Sequence, residues 1–247
     1  MFRQSDKSTR LYCFSPPVMI ITFCVEIAML IYTAIKRKPS IVVGLGIAML
    51  FFLAMFQLSE YNICGRLHLN GEAWTRIGYV SITMLPVLGI HIVDRLSGKM
   101  NLWWHRIAYL TGVAWASIFL FANVFDGLTC GGNYIIFSMR HPFGGSYFYF
   151  YYGWLLTSIG LALYYSSQKG VKKPVKTALQ WLVVGYLVFL LPTTIINSIY
   201  PETKLGIPSI MCGFAIVYAA ILTFKILPAT EAKTRRAKKK RLTKHKR

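Results

Sequence analysis

Seven apolar blocks, separated by connections whose positive charge alternates, constrain this chain more than any other feature. The blocks run from Pro17 to Ile35, Ser40 to Ser59, Thr75 to Val93, His105 to Phe125, Ser146 to Ser166, Thr177 to Tyr200 and Gly206 to Leu227. Each is close to the roughly 20 residues that carry a helix across about 30 Å of hydrocarbon. The connections after the first, third and fifth blocks are "KRKP", "DRLSGKMNLWWHR" and "QKGVKKPVK"; with the C-terminal tail and Lys225 at the end of the last block they hold 21 of the 28 Lys and Arg. The N-terminus and the other connections hold the remaining seven: Arg3, Lys7, Arg10, Arg66, Arg76, Arg140 and Lys204. Cationic residues beside membrane spans stay on the cytoplasmic side. A bias that reverses at every crossing requires an odd number of spans. The expected fold is all-α, an integral membrane seven-helix bundle with its N-terminus outside and its C-terminus cytoplasmic. A barrel is disfavoured, because its strands would be about ten residues long and alternate in polarity.

Composition agrees. The chain is 55% hydrophobic and 15% charged, with a mean hydropathy of +0.49, whereas a soluble domain carries about a quarter charged residues. The net charge of +20 does not indicate nucleic acid, because the basic residues gather at block ends. Ten of them lie between Lys233 and Arg247. That run is expected to be a disordered tail resting on anionic headgroups, at about 1 kcal/mol per basic residue. The expected organisation is an extracytoplasmic segment over 1–14, the membrane domain over 15–228 and the tail over 229–247. Residues 1–12 are polar and the first block ends at "KRK" without a small-residue cleavage site. The first block is therefore expected to be retained rather than removed as a signal peptide. No internal repeat is evident, which disfavours the inverted-repeat transporter plan.

This threading puts "SEYNIC" (59–64) and "TCGGNY" (129–134) on the same outer surface. Cys64 and Cys130 are then disulfide candidates in an oxidising compartment. Cys13 lies on the same side, and spacing does not choose between the pairings. Cys24 and Cys212 fall inside blocks and are read as small buried hydrophobes. Polar groups crowd the same end, and Gln57, Glu60, Arg76, Tyr79, Asn123, Asp126, Asn133 and Tyr134 are the candidates to line an outward-facing ligand cup. Arg76 is expected to pair with Glu60 or Asp126. The competing reading is an ordinary interfacial layer of Tyr, Trp and short polar groups. The same choice applies to "SYFYFYYGW" (146–154): an aromatic belt first, a ring-stacking wall second.

Glu26 lies near the middle of the first block, where no Lys or Arg stands at matching depth. An intramembrane acid marks either a proton relay or a neutral, hydrogen-bonded link between helices. His91 and Asp94 share a helix face, with His105 across a short connection, but three ligands of metal geometry are not evident. Pro86 and Pro192 are expected to kink their helices. Gly44 with Ala48, and Gly153 with Thr157 and Gly160, offer small faces for close packing. No catalytic set, metal site or cofactor motif appears, whether G-x-S-x-G, phosphate loop or HExxH. A lysine at mid-depth in the last block is also lacking, so a retinal Schiff base has no anchor.

The second block ends in "FQLSEYNIC". The third, "WTRIGYVSITMLPVLGIHI", brings an aromatic residue into a helix with a proline in its inner half. In these features, and in the exit "AAILTFKIL", the chain resembles the seven-helix N-terminal membrane domain of some bacterial sensor histidine kinases and related stand-alone proteins. The resemblance spans about residues 15–228. It implies reception of a signal from outside or from the membrane, in a bacterial cytoplasmic membrane. Only the basic tail follows Leu227, so output is expected to pass through a separate cytoplasmic or membrane partner. The leading expectation is a receptor-like, multi-pass protein that binds a small ligand or lipid in the outer cup. A proton-coupled permease using Glu26 is the alternative, and a membrane-embedded enzyme the third.

Overall fold

The computed structural model describes residues 16–64, 71–98, 102–130, 135–200, 203 and 206–230. It is a bundle of seven helices: α1 (Pro16–Lys36), α2 (Ile41–Cys64), α3 (Gly71–Ser97), α4 (Leu102–Phe121), α5 (Phe143–Ser167), α6 (Lys173–Ile199) and α7 (Ile207–Ile221). A single turn of π-helix, Leu222–Ile226, continues α7. Between α4 and α5 lie two antiparallel strands, β1 (Phe125–Cys130) and β2 (Ile135–Met139). They are the only strands among the described residues, and no barrel is formed.

Local chemistry sets most helix ends. Prolines stand in the first turns of α1, α6 and α7, where the missing N–H would have had no partner in any case. Ser40 Oγ accepts from Val43 N at 3.2 Å, the N-cap of α2. Gly98, at φ 73°, ends α3 in the left-handed conformation that glycine adopts without a Cβ penalty. Pro86 and Pro192 both lie inside their helices. Several boundaries depart from the expected ones by a few residues, α3 running from Gly71 to Ser97, and two of the departures bear on the site. α2 runs past Ser59 to Cys64, so Glu60 and Asn62 sit on a helix rather than in a loop. The fourth helix stops at Phe121, and its expected end has become the start of the hairpin.

The exterior is apolar. Ile35, Trp103 and Leu110 are each more than 70% exposed, as expected where lipid covers the outside. Five helical segments are long and apolar enough to cross a membrane: α1, α2, α3, α6 and the continuous stretch Ile207–Thr230. α4 and α5 are also long enough. Their Tyr, Trp, Gly and polar residues make them less apolar, so composition alone does not class them as spans.

α3 is the central helix. It packs against α2, α4, α5 and α6, and most of its residues are buried, from Thr75 to Leu96. The helices alternate in direction around it. One end of the bundle therefore gathers the hairpin with the C-termini of α2, α4 and α6 and the N-termini of α3, α5 and α7; it is called the hairpin end here.

The close approaches do not use the small-residue faces expected from the sequence. A Cβ on Gly44, Gly153 or Gly160 would meet nothing within 4 Å. The tight contacts are elsewhere: a Cβ on Gly112 of α4 would lie 2.7 Å from Val87 Cγ2 of α3, and one on Gly185 of α6 only 2.6 Å from Tyr218 Cδ2 of α7. Gly185→Ala is therefore expected to destabilise the bundle by about 1–3 kcal/mol, the usual penalty of overpacking. Gly160→Ala should be neutral or slightly stabilising. Thermal unfolding of both variants in detergent micelles distinguishes them, and equal midpoints would refute the α6–α7 contact.

Candidate functional site

The hairpin is held at the hairpin end by one cation. Arg76 Nη1 donates to the carbonyls of Phe119 (2.9 Å), Leu120 (3.0 Å) and Ala122 (2.8 Å), the last backbone acceptors of α4 and its exit. Such terminal carbonyls have no partner within a helix and carry its negative dipole end. Glu72, one turn before Arg76 on α3, completes the guanidinium's contacts at 2.7 Å. The expected pairing of Arg76 with Glu60 or Asp126 is thus incorrect. Asp126 instead binds Arg140 at 2.6 Å across the hairpin, with both side chains about half exposed. Three orphan carbonyls attract a partly buried guanidinium more strongly than one exposed carboxylate does.

With α4 closed in this way, β2 folds back over the helix ends. Ile135 and Phe137, alternate residues on one strand face, are buried against the bundle. Ile135 N donates to Ser209 Oγ at 3.3 Å, and Ser209 in turn hydrogen-bonds the Glu60 carboxylate. One hydroxyl therefore ties β2, α7 and α2 together.

Below the strand lies an aromatic cluster centred on Tyr79 of α3. Its ring meets Phe119 at 5.0 Å, Phe125 at 5.0 Å, Phe137 at 5.1 Å and Tyr147 at 5.8 Å. Tilted and edge-on pairs of this kind are favourable beyond the area they bury. Beside the cluster is a cavity of about 200 Å³, walled mainly by apolar surface. α3 contributes Tyr79, β2 contributes Phe137, α5 contributes Tyr147 and Tyr151, and α7 contributes Met211 and Cys212. Several phenols near it are already engaged. The Thr83 hydroxyl donates to the Tyr79 carbonyl at 2.6 Å, so Tyr147 Oη is the donor in its 3.0 Å bond to Thr83. Tyr152 Oη donates to Met211 Sδ at 3.4 Å. The cavity consequently presents ring faces and sulfur, a surface for hydrocarbon or a flat ring.

Of the candidate cup residues, only Tyr79 is in this wall. Gln57, Glu60 and Asn62 are buried within α2, Arg76 caps α4, and Asn123 and Asp126 face outward. Asn133 and Tyr134 lie outside the described residues. Cys24 and Cys212 are free, and Cys212 is buried as expected, while Cys24 is exposed on the outside of α1. Cys130 is disulfide-bonded. Its partner lies outside the described side chains, so Cys64 and Cys13 both remain open.

Sequence reasoning missed most of the wall, although two signals were present. In "SYFYFYYGW", Tyr147 and Tyr151 stand four apart and are buried, while Tyr149 is 78% exposed. The run is thus split between wall and exterior by the helical period. In "IPSIMC", Pro208, Met211 and Cys212 repeat that spacing on α7.

At the opposite end, His105 Nδ1 meets Asp94 Oδ2 at 2.7 Å. His91 belongs to a different set: Arg95 Nε donates to its Nε2 at 3.1 Å, leaving Nδ1 as the donor to Tyr109 Oη at 3.0 Å. The two imidazoles stack at 5.2 Å. This joins α3 to α4 as an anchor. Among the described residues no group of three or more His, Cys, Asp or Glu is arranged for a metal.

Arg76→Ala should lower stability by about 1–3 kcal/mol, because hydrogen bonds to a charged group are lost and partly buried carbonyls are left unpaired. Glu72→Ala should cost no more than about 1 kcal/mol, the range of an exposed ion pair. Protease cleavage between residues 122 and 142 in micelles would report the loosened hairpin in the first variant and not in the second. No family model matches the chain, and no curated protein is similar to it.

Proposed function

We propose that the protein is a receptor-like, multi-pass membrane protein whose hairpin end faces the outside of a bacterial cytoplasmic membrane. All seven helices cross, and the hairpin-end cavity binds a small hydrophobic or ring-bearing molecule, or the end of a lipid chain. The observation that carries this reading is the composition of the wall: one occupant would touch α3, α5, α7 and the hairpin together. At about 200 Å³ the space somewhat exceeds the roughly 150 Å³ that accommodates benzene in a dry engineered cavity. Aromatic and thioether surfaces suit such a ligand, and they adapt to its shape.

Three further features favour reception over chemistry. The described wall is made chiefly of aromatic rings, with the Met211 thioether and the buried Cys212 thiol. Charge alternation along the sequence supports a hairpin on the outside and basic connections on the inside. The likeness to sensor-kinase membrane domains points the same way, with a separate partner taking the output.

The reading is tested with the purified protein in lipid nanodiscs and a photoactivatable benzophenone on a short alkyl chain. Saturable adducts are expected on Tyr147–Tyr152 and on Met211–Cys212. Met211→Trp, which fills the cavity, should reduce them by about ten-fold, a loss equivalent to about 1.4 kcal/mol of binding. Labelling confined to lipid-facing positions such as Leu156 and Leu163, or unaffected by Met211→Trp, would reject the cavity as a binding site.

A further inference from the structure

A second set of buried polar atoms plays no part in the cavity. α1 turns Met19, Thr22, Glu26, Met29 and Thr33 inward at helical spacing. Glu26 is 0% exposed, and neither of its carboxylate oxygens has a hydrogen-bond partner in the protein. The same holds for Glu60 Oε1, Thr33 Oγ1 and Thr223 Oγ1. All these atoms belong to α1, α2 and the α7 stretch.

They also fall in line. Glu26 is near enough to Glu60 and to Cys212 for their charges to interact, and Arg37 Nη2 donates to the Thr223 carbonyl at 3.1 Å. From Glu26 to Arg37 and from Cys212 to Thr223 is the same number of residues, about 16 Å of helix in each case. α1 and α7 therefore lie side by side and parallel. Thr33 is one turn before Arg37. The unpartnered oxygens run from Glu60 at the hairpin end, through Glu26, to Thr33 and Thr223 at the opposite end.

Buried polar groups without partners are expensive, and native proteins satisfy such groups with ordered water when no side chain does. The voids of about 200 and about 20 Å³ that touch Cys212 are lined by neither carboxylate and neither threonine. No metal set exists among the described residues. The chemistry of these groups, carboxyls and hydroxyls in line, suits water and the proton.

We propose that the seam between α1, α2 and α7 is a proton path. A proton arrives at Glu60 beside Ser209 and passes to Glu26, which accepts it on one oxygen and releases it from the other. Water carries it along Thr33 and Thr223, whose hydroxyls each accept one proton and donate another, so O–H bonds are exchanged and no bond between heavy atoms changes. At the far mouth Arg37 lies over the Tyr32 ring at 5.8 Å and on the Thr223 carbonyl. Its fixed positive charge opposes the exiting proton and makes this the steepest part of the path, a valve rather than an open pore.

The test uses the full-length protein in phosphatidylcholine vesicles that enclose a pH-reporting dye, with the membrane potential set by a potassium gradient and valinomycin. Proton entry should exceed that of protein-free vesicles by about ten-fold and should fall to the protein-free rate in Glu26→Gln, as for an essential intramembrane acid. The double variant Thr33→Val, Thr223→Val should slow it several-fold. Cys24→Ser, on the exposed side of α1, should leave it unchanged. If Glu26→Gln does not assemble, as judged by gel filtration, the threonine double variant decides alone. Wild-type protein no faster than bare vesicles, equal rates in wild type and the seam variants, or flux driven by a sodium gradient and not by a proton gradient would each overturn the proposal. This path does not depend on the ligand reading, and photolabelling and flux can fail independently.

Discussion

The burial of α3 is the constraint from which the rest of this structure follows. A helix in lipid must satisfy its own backbone and cover it with apolar side chains. α3 is relieved of the second demand, because α2, α4, α5 and α6 surround it. Its interior therefore tolerates Ser81 and Thr83, which return their protons to carbonyls one turn back at 2.8 and 2.6 Å. It also tolerates Asp94, fixed by His105. Gly78 lets α2 approach closely enough for Phe56 and Ser59 to touch, and Gly89 leaves room for Tyr186 of α6. One end of α3 supplies Arg76 and Tyr79, which organise the hairpin and the cavity; the other supplies the anchor to α4.

Helix number and order were legible in the sequence because block length and connection charge are properties of the bilayer more than of tertiary contacts. The hairpin was not, although "CGGN" between two short stretches is ordinary turn chemistry. Hydropathy drew the fourth helix on to Phe125. What stops it is Arg76, more than forty residues away in sequence, and no local pattern announces such a cap.

Most of the described cup candidates are engaged away from the cavity, and for a different physical reason. Gln57, Glu60, Arg76, Asn123 and Asp126 were gathered because polar groups at one end of a bundle suggest a polar site. In a medium of low dielectric, polar groups are first consumed in satisfying one another and the backbone. Arg76 went to carbonyls, Asp126 to Arg140, and Glu60 to Ser209. The surfaces left facing the void were those with no such need: rings, thioether and thiol. Tyr79 lies on both lists because a phenol has a polar tip and an apolar face.

α7 links the two proposals. At the hairpin end it lends Met211 and Cys212 to the cavity wall; at the other end its π-helical turn presents Thr223 to Arg37. A π turn carries one residue more than the α ladder allows, and such turns recur at functional sites because the extra residue offers the helix an alternative register. Coupling between distant sites requires an element with two arrangements that both sites bias. α7 touches both places, the cavity wall with its first turns and Arg37 with its last. Were α7 to shift as one body, ligand binding and proton binding at the seam would be linked reciprocally, while each site would still stand on its own test. A receptor and a proton valve built on one helix would then be a single device read from two ends.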